Sequence, residues 1–151
     1  MLEKPIDTTG INIPAGITDI KGYLEFLDPN LIKVTTKDFK EAFRHTLLNG
    51  INFPEDKVFF AHKPKFIEAD TYITYFILNE LRDDYAGDKA MSITWKLQVN
   101  IFTKENYDDL KEEIIETLEN AGCVCYDTQE LYLDDLECYH IPLRFKYKMI
   151  K

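Results

Sequence analysis

Two short motifs near the end of the chain contain the residues best able to bind a metal ion. They are Cys123-x-Cys125 and Cys138-x-His140, which together offer three thiols and one imidazole, ligands that zinc prefers. The sequence between them predicts an antiparallel hairpin that turns near Asp135. About five to seven residues then separate the two motifs along the strands, a distance of roughly 16–23 Å at ~3.3 Å per residue. One ion cannot span that distance, so we expect no metal site.

The same distance argues against Cys125 and His140 as a nucleophile and its base, because such a pair must lie within hydrogen-bond reach. The sequence contains no phosphate-binding glycine loop, no HExxH motif and no GxSxG nucleophile elbow. Carboxylates are plentiful, but a catalytic pair needs a cleft that perturbs a pKa, and most of the clustered acids are predicted to face solvent. We therefore expect no enzyme activity, no catalytic residue and no cofactor.

Composition indicates a folded globular protein. The chain has 151 residues and a formal net charge of −9, with 45% hydrophobic and 13% aromatic residues. No apolar run approaches the ~18 residues of a membrane span, and the first ten residues lack the pattern of a secretory signal. The odd number of cysteines is typical of a reducing compartment. An acidic chain repels the phosphate backbone, so we expect no sequence-specific binding of nucleic acid.

The charge is distributed unevenly along the chain. Residues 104–137 contain 12 acids and 2 bases, a net charge of −10, whereas residues 140–151 contain 4 bases and no acid. Two interpretations are open: the charges keep solvent-facing surfaces soluble, or they form electrostatically matched contacts between copies or with a partner. The second hypothesis assigns interaction roles to Glu105, Asp109, Glu112, Glu116, Arg144, Lys146 and Lys148.

The elements that position these residues follow an irregular arm over residues 1–30, which is punctuated by proline and glycine. The arm has room for one short helix, around Ile20–Leu27. Its apolar residues must pack either on the same domain or on a neighbouring copy. A single domain is predicted over residues 31–151.

The first helix of that domain is predicted over Thr36–Leu48, because apolar residues recur there at helical spacing. Thr35 or Thr36 can cap it, and Gly50 is expected to end it in the left-handed conformation. Two strands and a polar turn come next, and the longer strand is expected to be covered on both faces. They are predicted over Lys57–Ala61, Thr71–Leu81 and 83–88.

The clearest pattern is a strict alternation of apolar and polar residues from Met91 to Ile101. It predicts a long strand over Ser92–Phe102 with one polar face and one buried face. The buried face includes Trp95 and continues to Met91, just before the strand. A helix capped by Thr103 or Asn106 and an antiparallel hairpin follow. Their predicted bounds are Tyr107–Ala121 for the helix and Cys123–Leu133 and Tyr139–Met149 for the strands.

The predicted order of elements is arm-α-β-β-β-α-β-β. Consecutive strands separated by a single helix favour the α+β class over a doubly wound parallel sheet. We predict a single, mostly antiparallel β-sheet with two helices packed on one face.

The second half of this pattern resembles the tail terminator, or tail completion, proteins of long-tailed bacteriophages. The resemblance covers residues 57–150 and includes the strand SITWKLQVNIF, the acidic helix, the run Tyr126-Asp127-Thr128 and an acidic loop. In that group an aromatic-histidine pair opens the last strand and an alternating basic and aromatic stretch follows. Here that strand has the sequence YHIPLRFKY over 139–147.

The resemblance implies a small α+β subunit that forms a ring, usually of six copies. Such a ring caps the head-proximal end of the tail tube, stops its polymerisation and joins the tail to the neck or connector protein. It implies a structural virion protein, assembled in the host cytoplasm, without cofactor or enzyme activity.

Three alternatives remain at this point. The arm is longer than the family pattern, which is compatible with another neck or connector (head–tail adaptor) subunit. A small soluble enzyme with a site assembled by the fold is a second alternative. The third is a nucleic-acid-binding β-surface, built from the loop Lys63-Pro64-Lys65 and the alternating bases of the last strand.

Overall fold

The computed structural model describes residues 16, 17, 19–31 and 33–151. These residues form an α+β fold, which confirms the predicted class. The helices are α1 (Ile20–Leu27), α2 (Thr36–Gly50) and α3 (Asp108–Asn120), with a short 3-10 helix at Glu55–Lys57. The strands are β1 (Val58–Phe60), β2 (Thr71–Ala86), β3 (Lys89–Thr103), β4 (Val124–Thr128), β5 (Leu131–Leu133) and β6 (Cys138–Ile150).

The described strands form one mixed sheet with the order β1-β2-β3-β6-β4, and β5 also pairs with β6. Only β1 and β2 run parallel; the other pairs are antiparallel. The core joins the helices to one face of this sheet. Phe39 of α2 stacks on Trp95 of β3, with ring centroids 4.2 Å apart, and Ile114 and Leu118 of α3 are fully buried in the same cluster. The opposite face of the sheet carries no helix within the described residues.

The alternation in β3 correctly predicts its buried face except at Met91, and the face predicted to be polar is itself partly buried. Trp95 is fully buried, as predicted, but Met91 is 37% exposed because it lies near the hairpin turn, beyond most of the core. On the face predicted to be polar, Ser92, Gln98 and Asn100 are only 1%, 8% and 4% exposed. Side chains of the neighbouring strands cover them, so this face is polar without being fully solvated.

α2 begins as predicted and ends differently. Thr35 and Asp38 form a reciprocal capping box, in which each side chain accepts from the other residue's backbone N–H. The helix continues to Gly50, whose backbone is not left-handed, so the predicted reason for this glycine is wrong. Its actual reason is packing: a methyl group here would overlap Thr117 Cγ2 of α3 and lie 2.8 Å from Thr117 Oγ1.

β2 and β3 form a hairpin longer than the sequence predicts. The polar segment 83–88, predicted as a turn, continues β2 to Ala86, and the turn is confined to Gly87 and Asp88. β1 is correspondingly shorter than predicted, because Lys57 belongs to the 3-10 helix. The expected cover on both faces of β2 is also wrong, since only Ile73–Tyr75 are buried and the strand is exposed from Leu78 onward.

α1 occupies the position predicted for a short helix inside the arm. Ile20, Tyr23 and Leu24 are buried and pack against α2, so this part of the arm belongs to the core of its own chain. Asp19 caps the helix by accepting from the Gly22 backbone N–H at 2.7 Å. The rest of the predicted arm, residues 1–15 and 18, lies outside the described residues.

The hairpin at the end of the chain is confirmed, but its first strand is divided. β4 and β5 pair with successive parts of β6, and residues 129 and 130 interrupt them. α3 begins one residue after Tyr107, which supplies no side-chain cap; the predicted cap Asn106 instead accepts from the Asp108 backbone N–H at 2.9 Å.

Candidate interaction surface

The face of the sheet opposite the helices carries the three basic residues predicted on the last strand. In β6, Arg144, Lys146 and Lys148 are exposed and alternate with buried Phe145 and Tyr147, because successive strand residues point to opposite faces. We call this side of the sheet the open sheet face.

A fourth cation joins this group through the strand register. Lys96 of β3 is exposed and lies directly opposite Lys146 of β6. Lys148 forms a salt bridge with Asp84, with 3.2 Å between Nζ and Oδ2. The hydrogen bond from Ser92 is the larger cause of the lowered pKa of Asp84, and the contact with Lys148 is the next. Arg144 donates from Nε to Gln98 Oε1 at 3.1 Å. The four cations therefore form one cluster, which we call the basic cluster.

A network of hydrogen bonds among buried polar side chains lies beside the basic cluster. Asn100 Oδ1 accepts from Gln98 Nε2 at 2.6 Å and lies 2.8 Å from His140 Nε2. Asn100 Nδ2 donates to Thr74 Oγ1 at 3.1 Å. Because the Asn100 oxygen can only accept, His140 Nε2 must carry the hydrogen. Burial lowers the pKa of His140, so the neutral ring with hydrogen on Nε2 is the form favoured at neutral pH.

An aromatic row crosses the same face at one end of the sheet. Tyr72 stacks on Phe102 with centroids 4.9 Å apart, and Phe102 stacks on His140 at 4.5 Å. Phe59 contacts Tyr72 edge-on, and Lys63 Nζ lies 5.4 Å from the Tyr72 ring centroid. Lys63, Tyr72, Phe102 and His140 line a shallow depression of about 330 Å³ together with part of the polar network. The sequence correctly predicts that His140 lies on the polar face, but it does not predict the contacts that Tyr72, Phe102 and His140 form across β2, β3 and β6.

The predicted acidic residues lie on the other side of the molecule. α3 buries Ile114 and Leu118 against the core, so its outer face is turned away from the sheet. Four of the predicted acids on or just before this helix are exposed. They are Glu105, Asp109, Glu112 and Glu116. The fold therefore does not join the predicted acidic and basic residues within one molecule; it places them on opposite sides.

A groove between α2 and α3 lies on the helical side of the molecule, with a volume of about 510 Å³. Asp19, Glu113 and Glu116 contribute carboxylates to its lining, beside the buried Thr46. Thr46 Oγ1 has no hydrogen-bond partner among the described residues. No Lys or Arg is among the described residues that line the groove, so it belongs to the acidic side of the molecule.

The cysteines do not form a cluster. Cys138 is opposite Leu133, whereas Cys125 is opposite Phe145, seven residues farther along β6, which corresponds to about 23 Å. Burial raises the pKa of Cys123 to about 12 and also raises that of Cys138, so both thiols are protonated at neutral pH and are poor nucleophiles. No group of three or more His, Cys, Asp or Glu side chains among the described residues could hold a metal ion.

None of the helices in the described part of the chain is long and apolar enough to cross a membrane. A scan against protein-family models and a search of curated proteins found no match to this chain.

Proposed function

We propose that this protein is a tail terminator of a long-tailed bacteriophage. In this function several copies, six as in the family it resembles, form a ring on the head-proximal end of the tail tube. The ring stops polymerisation of the tube protein and presents a surface to the neck or connector protein. The protein would then be part of the virion, assembled in the host cytoplasm.

The observation that best supports this proposal is the placement of opposite charge on opposite sides of one small subunit. The outer face of α3 carries exposed carboxylates, and the open sheet face carries the basic cluster. A subunit of this kind favours head-to-tail contacts, and such contacts close into a ring when the rotation between copies divides a full turn.

The strands and helix that carry the family resemblance also occur in the expected order. β3, the acidic α3, the divided strand β4/β5 and the basic β6 follow one another along the chain. The pairing of β3 with β6 brings the two most regular of these strands together in the middle of the sheet. This arrangement supports the proposal through the resemblance, and it is equally compatible with another neck subunit.

The charges would act on assembly more than on the stability of the subunit. An exposed ion pair contributes only about 0–1 kcal/mol. Matched charged surfaces, in contrast, accelerate encounter and select the correct register. The proposal therefore assigns the acidic and basic residues a role in the rate and register of ring assembly.

A tube-capping experiment tests this function. Tail tube protein from the same phage is allowed to polymerise with and without the purified protein, and tube lengths are measured by electron microscopy. We expect shorter tubes with a ring at one end. Tubes of unchanged length that lack end density would contradict the proposal, and binding to the neck protein alone would instead favour a connector subunit.

A further inference from the structure

Lys96 and Lys146 form a cross-strand pair of like charge in the middle of the sheet. They are direct register partners on β3 and β6, and both side chains are exposed. Like charges directly opposite each other destabilise a sheet. Neither lysine forms a salt bridge with an acid among the described residues; Lys96 lies 5.8 Å from the Tyr126 ring centroid. A carboxylate from outside the subunit would relieve this repulsion.

The polar groups next to this pair also favour an acceptor-rich partner. The Asn100 oxygen is already occupied by Gln98 and His140, and the Gln98 oxygen accepts from Arg144. The Arg144 terminal nitrogens, in contrast, donate to no other group in the described part of the chain. Two acids of the same chain lie beside the basic cluster: Asp127 is the register partner of Arg144, and Asp84 is paired with Lys148. Among the described residues, Lys96, Lys146 and the Arg144 terminal nitrogens still form no salt bridge or hydrogen bond with an acid, and carboxylate oxygens are the groups that match them.

We propose that the open sheet face binds the outer face of α3 of a second copy of this chain. This inference rests on the ring assembly proposed above and specifies its interface. Residues 104–137, which include α3, carry a net charge of −10, the densest acidic segment of the chain. The basic cluster and the acidic helix are therefore complementary in sign, and every copy supplies both.

The spacing of the charges is compatible with this contact. Asp109, Glu112 and Glu116 lie three and four residues apart, on one stripe of α3 that extends over about 10 Å at 1.5 Å per residue. Arg144 and Lys148 are four residues apart on β6, which is about 13 Å. Long lysine and arginine side chains can adjust to the difference of a few ångström.

The placement of the two surfaces also determines the type of contact. In a two-fold dimer each copy must present both surfaces to the same partner. Here the outer face of α3 and the open sheet face lie on opposite sides of the sheet, so one partner cannot satisfy both. The contact is therefore head-to-tail, and each subunit has two different neighbours.

Two charge-reversed variants test this assignment. The helix variant carries Glu112→Lys and Glu116→Lys, and the sheet variant carries Lys96→Glu and Lys146→Glu; all four positions are exposed. Matched controls change charge equally at exposed sites elsewhere: Glu25→Lys with Glu68→Lys, and Lys21→Glu with Lys37→Glu. Circular dichroism and thermal unfolding verify that each variant folds. Self-association is measured by analytical ultracentrifugation and native mass spectrometry.

We expect each reversed variant alone to associate at least about tenfold more weakly than the wild type, because like charges meet at every contact. The controls should associate normally. An equimolar mixture of the two variants should regain association, because each helix then meets a sheet of opposite charge. The mixed complexes should contain equal numbers of the two chains in an even-numbered ring.

Three results would overturn the interface. They are normal association of either reversed variant, failure of the mixture to assemble although both variants fold, and a wild type that stays monomeric with and without tube protein. Loss of tube binding with self-association intact would instead assign the open sheet face to the tube protein. Binding of a labelled oligonucleotide that the sheet variant abolishes would assign it to nucleic acid.

The outcomes also separate this inference from the proposed function. If the mixture restores a ring but neither that ring nor the wild type shortens tail tubes, the interface is correct and the tail terminator function is wrong. If the wild type shortens tubes while the reversed variants do so equally well, the function is supported and the interface is wrong.

Discussion

Trp95 connects the centre of the sheet to the start of α2. Its ring is fully buried and stacks on Phe39 at an interplanar angle of 7°. Its Nε1 donates to Thr36 Oγ1 at 3.0 Å, and the Thr36 hydroxyl donates in turn to Glu80. The hydrogen bond from Thr36, followed by the hydrogen bond and charge of Arg82, lowers the pKa of Glu80. One side chain thus joins β2, β3 and α2.

We predict that Trp95→Ala lowers the free energy of unfolding by about 3–5 kcal/mol, the usual cost of removing a large buried aromatic ring. Trp95→Phe should cost less, because it retains much of the ring contact with Phe39 and loses only the hydrogen bond to Thr36. Urea unfolding measures both values. The fluorescence of the native protein should show a blue-shifted maximum, and a maximum typical of water-exposed tryptophan would contradict the burial of Trp95.

His140 makes the stability of the sheet sensitive to pH. Burial lowers its pKa in the folded state, so the unfolded chain binds a proton more readily. The stabilising contribution is present above the unfolded pKa of about 6.5 and is lost as pH falls through the lower folded pKa. We predict that the wild type loses more stability between pH 7 and pH 5 than His140→Gln, which can still donate to Asn100. Parallel curves for the two proteins in that range would contradict the prediction.

For single residues, the sequence predicts which side chains are exposed better than it predicts which side chains contact one another. Alternation is a local property, so it correctly places Trp95 in the core and Lys146 on the outside. The contact of His140 with Asn100 depends on the register between β3 and β6, which are 40 residues apart at this point. No local pattern encodes that register, and for this reason the polar network is not visible in the sequence.

At the scale of elements, the contact between α2 and α3 depends on Gly50. Thr117 Oγ1 donates to the Gly50 carbonyl oxygen at 3.1 Å, and the close approach leaves no room for a side chain. We predict that Gly50→Ala lowers the free energy of unfolding by roughly 1–3 kcal/mol, although alanine is the better helix former, because it overpacks the contact.

Gly16→Ala is the matched control for this substitution, because a methyl group there would meet nothing within 4 Å. Chemical unfolding of the two variants gives the comparison. If Gly50→Ala were as stable as the wild type, the close packing of the two helices described above would be wrong.

The elements themselves were predictable where apolar periodicity is strong, as in α2, α3, β3 and β6. Errors arise where tertiary context overrides composition. The polar residues Asp83 and Asp84 belong to β2 because this part of the strand pairs with β3, where Asp83 is opposite Ser92. Asp84 also accepts a hydrogen bond from Ser92 and forms a salt bridge with Lys148. Gly50 shows the same limit of sequence-based prediction, since the need for glycine there comes from Thr117, which is 67 residues away in the chain.

At the scale of the whole molecule, the separation of charge predicts salt-sensitive assembly. Salt at physiological concentration and above screens exposed charges beyond about 8–10 Å. We predict that ring assembly slows as salt rises from 0.05 to about 0.5 M, as followed by stopped-flow light scattering. The Glu112→Lys, Glu116→Lys variant should assemble slowly at every salt concentration while its unfolding curve matches that of the wild type. Equal assembly rates in low and high salt would contradict this prediction and would mean that the charged surfaces serve solubility and not assembly.

Native mass spectrometry of the full chain, alone and with tail tube protein, tests the central claim most directly. The account predicts a closed ring, with a mass six times the 17.7 kDa of the chain, formed either in solution or on the end of the tube. A protein that remains monomeric under both conditions while the tubes continue to grow would contradict the account.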